Sequence, residues 1–214
     1  MRGKETIKSK FAIFSAPLGA SRGRRLVFDS GASWARLAAE EMPGELYRAV
    51  FRGRAPRVWL DDHSLTIHYH PFLGPGRQGG AGEMAAEISL NDSIPWEIEI
   101  RGGAVHLDAE LGGLVIRSLD IIGGASQLRL SLPEQEGTTY IYISGGLTNG
   151  LIRRPPSVGV RVRVSGGAAG LLCDDRRYPS SGGELVVESA NNGSAASHYD
   201  IRISGGASNL TLAS

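Results

Sequence analysis

Cysteine is almost missing from this chain: Cys173 is the single one among 214 residues. An internal disulfide and a zinc site built on cysteines are therefore excluded. Such usage fits a reducing compartment, so a cytoplasmic location is expected ahead of a secreted or surface one. Long hydrophobic runs are missing too. No stretch reaches eighteen apolar residues, and no membrane-spanning helix is expected. The segment "FAIFSAPLGA" follows Lys4, Lys8 and Lys10, as a signal peptide would, but Ser15 and Pro17 interrupt it. A cleaved signal is not expected. The sequence also lacks a G-x-S-x-G nucleophile elbow and a G-x-x-x-x-G-K-S/T phosphate loop. No lysine follows its glycine pairs, so they do not read as phosphate cradles.

Net charge is small, +1, but unevenly spread. Residues 1–25 carry Arg2, Lys4, Lys8, Lys10, Arg22, Arg24 and Arg25 against Glu5 alone, seven minus one, or +6. The remainder is therefore about −5. The first 25 residues read as a basic arm or cap. A second, less favoured use for that arm is contact with an anionic surface or nucleic acid.

Glycine is abundant, 30 residues, and it comes in pairs. Pairs begin at Gly102, Gly123, Gly145, Gly166 and Gly205, in steps of 21, 22, 21 and 39. A period near twenty-one marks a solenoid. The double-length last step is expected to hide a degenerate repeat around "GGELVVES" (182–189). Before each pair two apolar residues alternate with polar ones: Ile98 and Ile100, Leu119 and Ile121, Ile141 and Ile143, Val162 and Val164, Ile201 and Ile203. After the pair a second alternation begins, as in Leu128, Leu130 and Leu132, or Leu171 and Cys173, or Leu210 and Leu212. Period two is the signature of strands. Each unit is thus strand, Gly-Gly corner, strand, loop, and stacked units share one core.

The same grammar extends backwards. "LVFDSGASWARL" (26–37) fits, and "RVWLDDHSLTIHY" (57–69) fits with Asp62 and His63 at the corner. Residues 38–50 read as a short helix or lateral loop, and residues 71–82 as a Pro/Gly-rich loop. The expected fold is all-β, a single-domain parallel β-solenoid with coils of about 21 residues, spanning 26–214. Its expected hand is right, the rule for parallel crossovers.

The repeated corners "GGASQL" (123–128) and "GGASNL" (205–210), together with the period, resemble a known family. They are similar to bacterial β-solenoid domains labelled "putative adhesin", over Leu26 to Ser214. The resemblance implies the solenoid fold and brings no shared catalytic residues.

Several residues are candidates for chemistry. His68 and His70 share a strand face, but a third metal ligand is wanting. Asp108 and Glu110 stand about 10 Å off in the expected register, so a polar outer face is the favoured reading. Asp174 and Asp175, with Arg176, Arg177 and Tyr178, carry the alternative of a carbohydrate-active enzyme or carbohydrate binder; a charged loop is favoured. Cys173 falls on an inward position and reads as a buried hydrophobe. No cofactor is expected, and no enzyme activity.

Outward positions form two columns. One runs Glu99, Asp120, Tyr142, Arg163, Arg202; the other runs Glu97, Ser118, Tyr140, Arg161, Asp200. Tyr140, Tyr142, Arg161, Arg163 and Arg202 are the candidate partner-binding residues, because exposed tyrosine and arginine suit interfaces. The expected function is a non-enzymatic scaffold or protein-interaction module presenting flat sheet faces. Because the last repeat ends soon after Leu212, its rim (Ile201, Ile203, Leu210, Thr211, Leu212) is expected to pair strands with a second copy, giving a homodimer through the C-terminal coil.

Overall fold

The computed structural model describes residues 11–53, 55–69 and 85–214. Arg2, Lys4, Lys8, Lys10, His70 and the loop at 71–82 lie outside the described residues. Twenty strands and no helix occur among them: β1 (Phe11–Pro17), β2 (Arg24–Phe28), β3 (Ala32–Glu40), β4 (Glu45–Arg52), β5 (Arg57–Leu60), β6 (Ser64–His68), β7 (Ala85–Asn91), β8 (Pro95–Arg101), β9 (Ala104–Glu110) and β10 (Val115–Ile122). The second half holds β11 (Ala125–Ser131), β12 (Gly137–Ile143), β13 (Leu147–Arg153), β14 (Gly159–Val164), β15 (Ala168–Ala169), β16 (Leu171–Cys173), β17 (Arg176–Tyr178), β18 (Leu185–Glu188), β19 (Ser197–Ile203) and β20 (Ala207–Ala213).

They form two sheets over one continuous apolar core. Sheet A runs β1-β4-β7-β3-β9-β11-β13-β20-β16-β17, and sheet B runs β18-β14-β19-β12-β10-β8-β2-β6-β5. The central pairings are parallel, as a solenoid requires. The alternating residues all face inward: Ile98, Ile100, Leu119, Ile121, Leu128, Leu130, Leu171 and Cys173 are at most 2% exposed.

The corners explain the glycine pairs. At Gly145 an added Cβ would lie 2.6 Å from Gly124 N and 2.7 Å from Gly123 C, both backbone atoms. Successive coils turn there in backbone contact. A second device follows each corner. Gln127, Asn149 and Asn209 all take left-handed φ near +55°, and Gly170 takes φ +65° at the matching place in "GGAAGL". The left-handed residue adds one position between the inward Ala125 and the inward Leu128. Asparagine tolerates this conformation, and the stacked amides bond to one another: Asn209 Nδ2 donates to Asn149 Oδ1 at 3.1 Å.

Several expectations are corrected. Coils do not stack in chain order. β19 lies between β12 and β14, and β20 lies between β13 and β15–β16. At the other end β2 lies between β8 and β6, and β3 between β9 and β7. The last coil is therefore internal and its strand edges are occupied on both sides. Segment 182–189 is not a degenerate coil, because β18 runs antiparallel along the free edge of β14. Segment 57–69 is a hairpin, because Asp61 Oδ1 accepts from the amides of His63 and Ser64 at 2.7 Å and closes a tight turn. Leu60 consequently points outward, 41% exposed. Residues 38–50 hold the end of β3 and most of β4, not a helix. Buried Asn91 pins the turn between them, its Nδ2 donating to Met42 O at 2.7 Å and to Glu45 O at 2.6 Å.

Antiparallel strands thus finish both ends: β4, β1 and β5 at one, β17 and β18 at the other. They blunt edges that parallel coils would leave open.

Backbone packing at the corner makes Gly145→Ala costly, about 1–3 kcal/mol as overpacking. An added Cβ at Gly182 meets nothing within 4 Å, so Gly182→Ala should stay within about 0.5 kcal/mol of the parent. Urea unfolding of the two variants side by side checks the contrast; equal stabilities would refute the corner account.

Candidate interaction face

Sheet B turns one broad face to solvent, and its parallel register lines up side chains in columns. Glu99, Asp120, Tyr142, Arg202, Arg163 and Val186 are successive Cα partners in one column. Arg25, Glu97, Ser118, Tyr140, Asp200, Arg161 and Glu188 form the other. The expected columns are present, with one correction: Arg202 stands beside Tyr142 and Arg163 one strand further out, because the last coil is inserted before β14.

Tyr140 is 52% and Tyr142 39% exposed. The Arg202 guanidinium lies 5.7 Å from the Tyr140 ring centroid, within cation–π range. Its Nε donates to Asp200 at 2.9 Å, and that hydrogen bond raises the arginine's pKa. Further out, Arg161 pairs with Glu188 at 3.4 Å and Arg163 with Glu184 at 3.3 Å. On the acidic flank Arg25 reaches Glu97 at 2.7 Å, and Arg101 reaches Glu99 at 2.6 Å. The Glu97 hydrogen bond likewise raises the pKa of Arg25. Asp120 differs: it accepts from Ser118 Oγ at 3.1 Å, and no cation pairs with it among the described residues. It borders a depression of about 300 Å³ lined by Arg25, Glu97, Glu99, Asp120, Ile122 and Tyr142. Glu97 and Glu99 are already answered by Arg25 and Arg101, so Asp120 is the carboxylate of that lining left to attract a cationic group.

The face was legible in the sequence as two columns, but Arg25 and the half-exposed Ile122 were missed. Arg25 enters because β2 pairs with β8, a long-range contact. Ile122 directly follows the inward Ile121, and that step of one was the available signal.

Other candidates fall into structural roles. Asp174 is gripped by Arg154, whose Nη2 donates at 2.9 and 3.0 Å to the two carboxylate oxygens. The Arg154 side chain is only 4% exposed. The pair ties the turn between β16 and β17 to the end of β13. Asp175, Arg176 and Arg177 are exposed around that turn. Cys173 is buried, and burial with the nearby Asp174 charge pushes its thiol up to about 11. His68 sits on sheet B, 3.0 Å from Asp29, whereas Asp108 and Glu110 belong to sheet A. Ile201, Ile203, Leu210 and Leu212 are buried inside the stack rather than at a rim, and Thr211 pairs on both sides with Leu151 and Leu172. Within the basic arm, Arg24 donates to Ser21 and to the Asp61 carbonyl, and Arg25 to Glu97.

Fold and face together define an all-β, two-sheeted, solenoid-like protein with a flat charged and aromatic surface. Residues 75–152, which include β8 to β12 and most of β13, match the family model described as the N-terminal domain of toast_rack, DUF2154. A solved structure of a "putative cell adhesion protein" from Clostridium sporogenes superposes with a TM-score of 0.70 at 18% identity, over 95% of this chain and 99% of that one. A "putative adhesin" from Bacteroides fragilis aligns over 95% of this chain and 97% of its own at 10% identity, with a TM-score of 0.31. No protein of curated function matches. The resemblance read from the Gly-Gly corners, to adhesin-type β-solenoid domains, is borne out. No helix among the described residues is long and apolar enough to cross a membrane.

If Asp174 serves the fold, Asp174→Asn strands a buried guanidinium and should cost about 2–4 kcal/mol, while exposed Asp175→Asn stays within about 0.5 kcal/mol. Thermal unfolding of both variants decides; an Asp174→Asn protein as stable as its parent would contradict the clamp. Cys173, protonated at neutral pH and buried, should resist a disulfide reagent at pH 8 and react stoichiometrically once unfolded in guanidinium. Labelling of the native protein within minutes would overturn that placement.

Proposed function

We propose that this chain is a non-enzymatic scaffold or protein-interaction module that engages its partner through the outer face of sheet B. The observation that carries the reading is the exposed Tyr140–Tyr142 pair, set on a regular sheet between carboxylates on one side and arginines on the other. Rigid aromatic area flanked by charge suits protein recognition. Tyr140, Tyr142, Arg161, Arg163 and Arg202 are the contact residues of this proposal, with Arg25, Asp120 and Ile122 added. The grip of Arg154 on Asp174 weighs against the carbohydrate alternative. The adhesion protein with the same fold supports a binding role in general terms.

The proposal includes a single right-handed solenoid domain over 26–214, with residues 1–25 as the basic N-terminal arm or cap; the described part of that segment includes β1, which lies along the edge of β4, and right-handedness follows the rule for parallel crossovers. A single, buried cysteine favours a cytoplasmic site over a surface one.

Affinity capture from native cells tests the face. The parent protein should retain a partner that the Tyr140→Ala/Tyr142→Ala variant loses, while the variant's unfolding free energy stays within about 1 kcal/mol. Identical capture by both proteins would refute the assignment of this face.

A further inference from the structure

The two columns of sheet B have a symmetry that identifies a partner. Take β12, with Tyr140 and Tyr142, as the centre. One strand to either side, the Tyr142 column offers Asp120 and Arg202. Two strands out it offers Glu99 and Arg163. In the Tyr140 column the same steps give Ser118 and Asp200, then Glu97 and Arg161, then Arg25 and Glu188. Every charged residue has at its mirror position either the opposite charge or, for Asp200, a serine hydroxyl that can donate to it.

Resting on the reading of this face as the interaction surface, we propose that its partner is a second copy of the chain. The two copies pack sheet B against sheet B about a two-fold axis that lies between the faces, parallel to β12. That axis reverses the order of strands while keeping the columns aligned. Asp120 then meets Arg202 of the other copy, Glu99 meets Arg163, Glu97 meets Arg161, and Arg25 meets Glu188. Tyr140 and Tyr142 meet their own counterparts at the centre. Each contact occurs twice, as an isologous interface demands.

The pattern is selective. An axis along the stacking direction would set Glu99 on Glu97 and Arg163 on Arg161. Moving the axis half a strand towards β10 sets Arg25 on Arg161 and Glu97 on Asp200. Moving it half a strand towards β19 sets Glu97 on Glu188. Of these axes, only the one over β12 avoids like charges in both columns. From β2 to β18 is six strand spacings, about 29 Å, and a seven-residue strand runs about 23 Å. Such a face approaches the roughly 800 Å² per partner of a standard interface. The ion pairs now on the face are exposed and intramolecular, so they re-pair readily across it. Asp120, with no cation of its own among the described residues, gains one. This interface replaces the pairing expected at the C-terminal coil, whose edges are occupied.

Sedimentation equilibrium of the full chain tests the proposal. The parent protein should dimerise at micromolar concentration, more weakly as salt rises. Asp120→Arg alone, and Arg202→Asp alone, should each weaken self-association at least about tenfold by placing like charges opposite each other twice. An equimolar mixture of the two single variants should dimerise again, since every such contact in the mixed pair is arginine against aspartate. Restoration also shows that both variants are folded. A parent protein that is monomeric at tens of micromolar in low salt overturns the proposal, as does association indifferent to both substitutions or a mixture that fails to recover. A monomer whose capture of another protein still requires Tyr140 and Tyr142 overturns the second copy and leaves the interaction face standing.

Discussion

Backbone meets backbone at the Gly-Gly corner, and the spacing of the whole stack depends on that contact. Ala125 N donates to Gly146 O at 2.8 Å, Leu147 N to Gly206 O at 2.9 Å, and Ala207 N to Gly167 O at 2.9 Å. The hydrogen-bond ladder therefore continues around the bend instead of stopping at each strand end. A side chain in the corner would push neighbouring coils apart. Inward isoleucines and outward tyrosines would lose register together, since both faces hang on the same backbone. The left-handed residues Gln127, Asn149 and Asn209 belong to this device. They restore the inward phase after the turn, so both sheets present leucine and isoleucine to one core.

A stack with this regularity has a problem at its ends, where parallel strands leave donors and acceptors unpaired. This chain covers both ends with antiparallel strands, but in a different order. At one end the outer coil β14–β16 comes first, β17 and β18 turn back along its edges, and β19 and β20 then fill the space behind. At the other the inner coil β2–β3 and the capping β4 come first, and β7 enters between β3 and β4. The final coil is consequently held on both sides, and its contacts are with residues far away in the chain. Long-range pairing of this kind delays completion of the core until the C-terminal segment arrives.

The face of sheet B inherits its order from the core beneath it. Strands about 4.8 Å apart hold charges in columns, where opposite signs on neighbouring strands attract and like signs repel. Here acids gather on one flank and arginines on the other, with aromatic rings between. Local pairs such as Arg25–Glu97 and Arg202–Asp200 offset part of that separation.

Period-two alternation and paired glycines are properties of some twenty neighbouring residues, and they were sufficient for strands, corners, inward residues and an all-β, solenoid-like fold. Ile100, Ile121, Ile143 and Ile203 could be assigned to one buried column because each stands in its own unit beside its own corner. The columns of the outer face were legible for the same reason. Which column element touches which was not. Whether Arg202 or Arg163 adjoins Tyr142 depends on which strand edge is open when β19 arrives, and no local pattern states that. The turn at Asp61, where a side chain closes a hairpin, and the antiparallel course of β18 are equally decided by available partners. Asp174 reads from the sequence as part of a charged loop; tertiary packing brings Arg154 to it across twenty residues. Sequence by itself determined the unit and its two faces; the order of units, the caps and the company of each charge arose only in the stack, because pairing between strand edges is a long-range interaction.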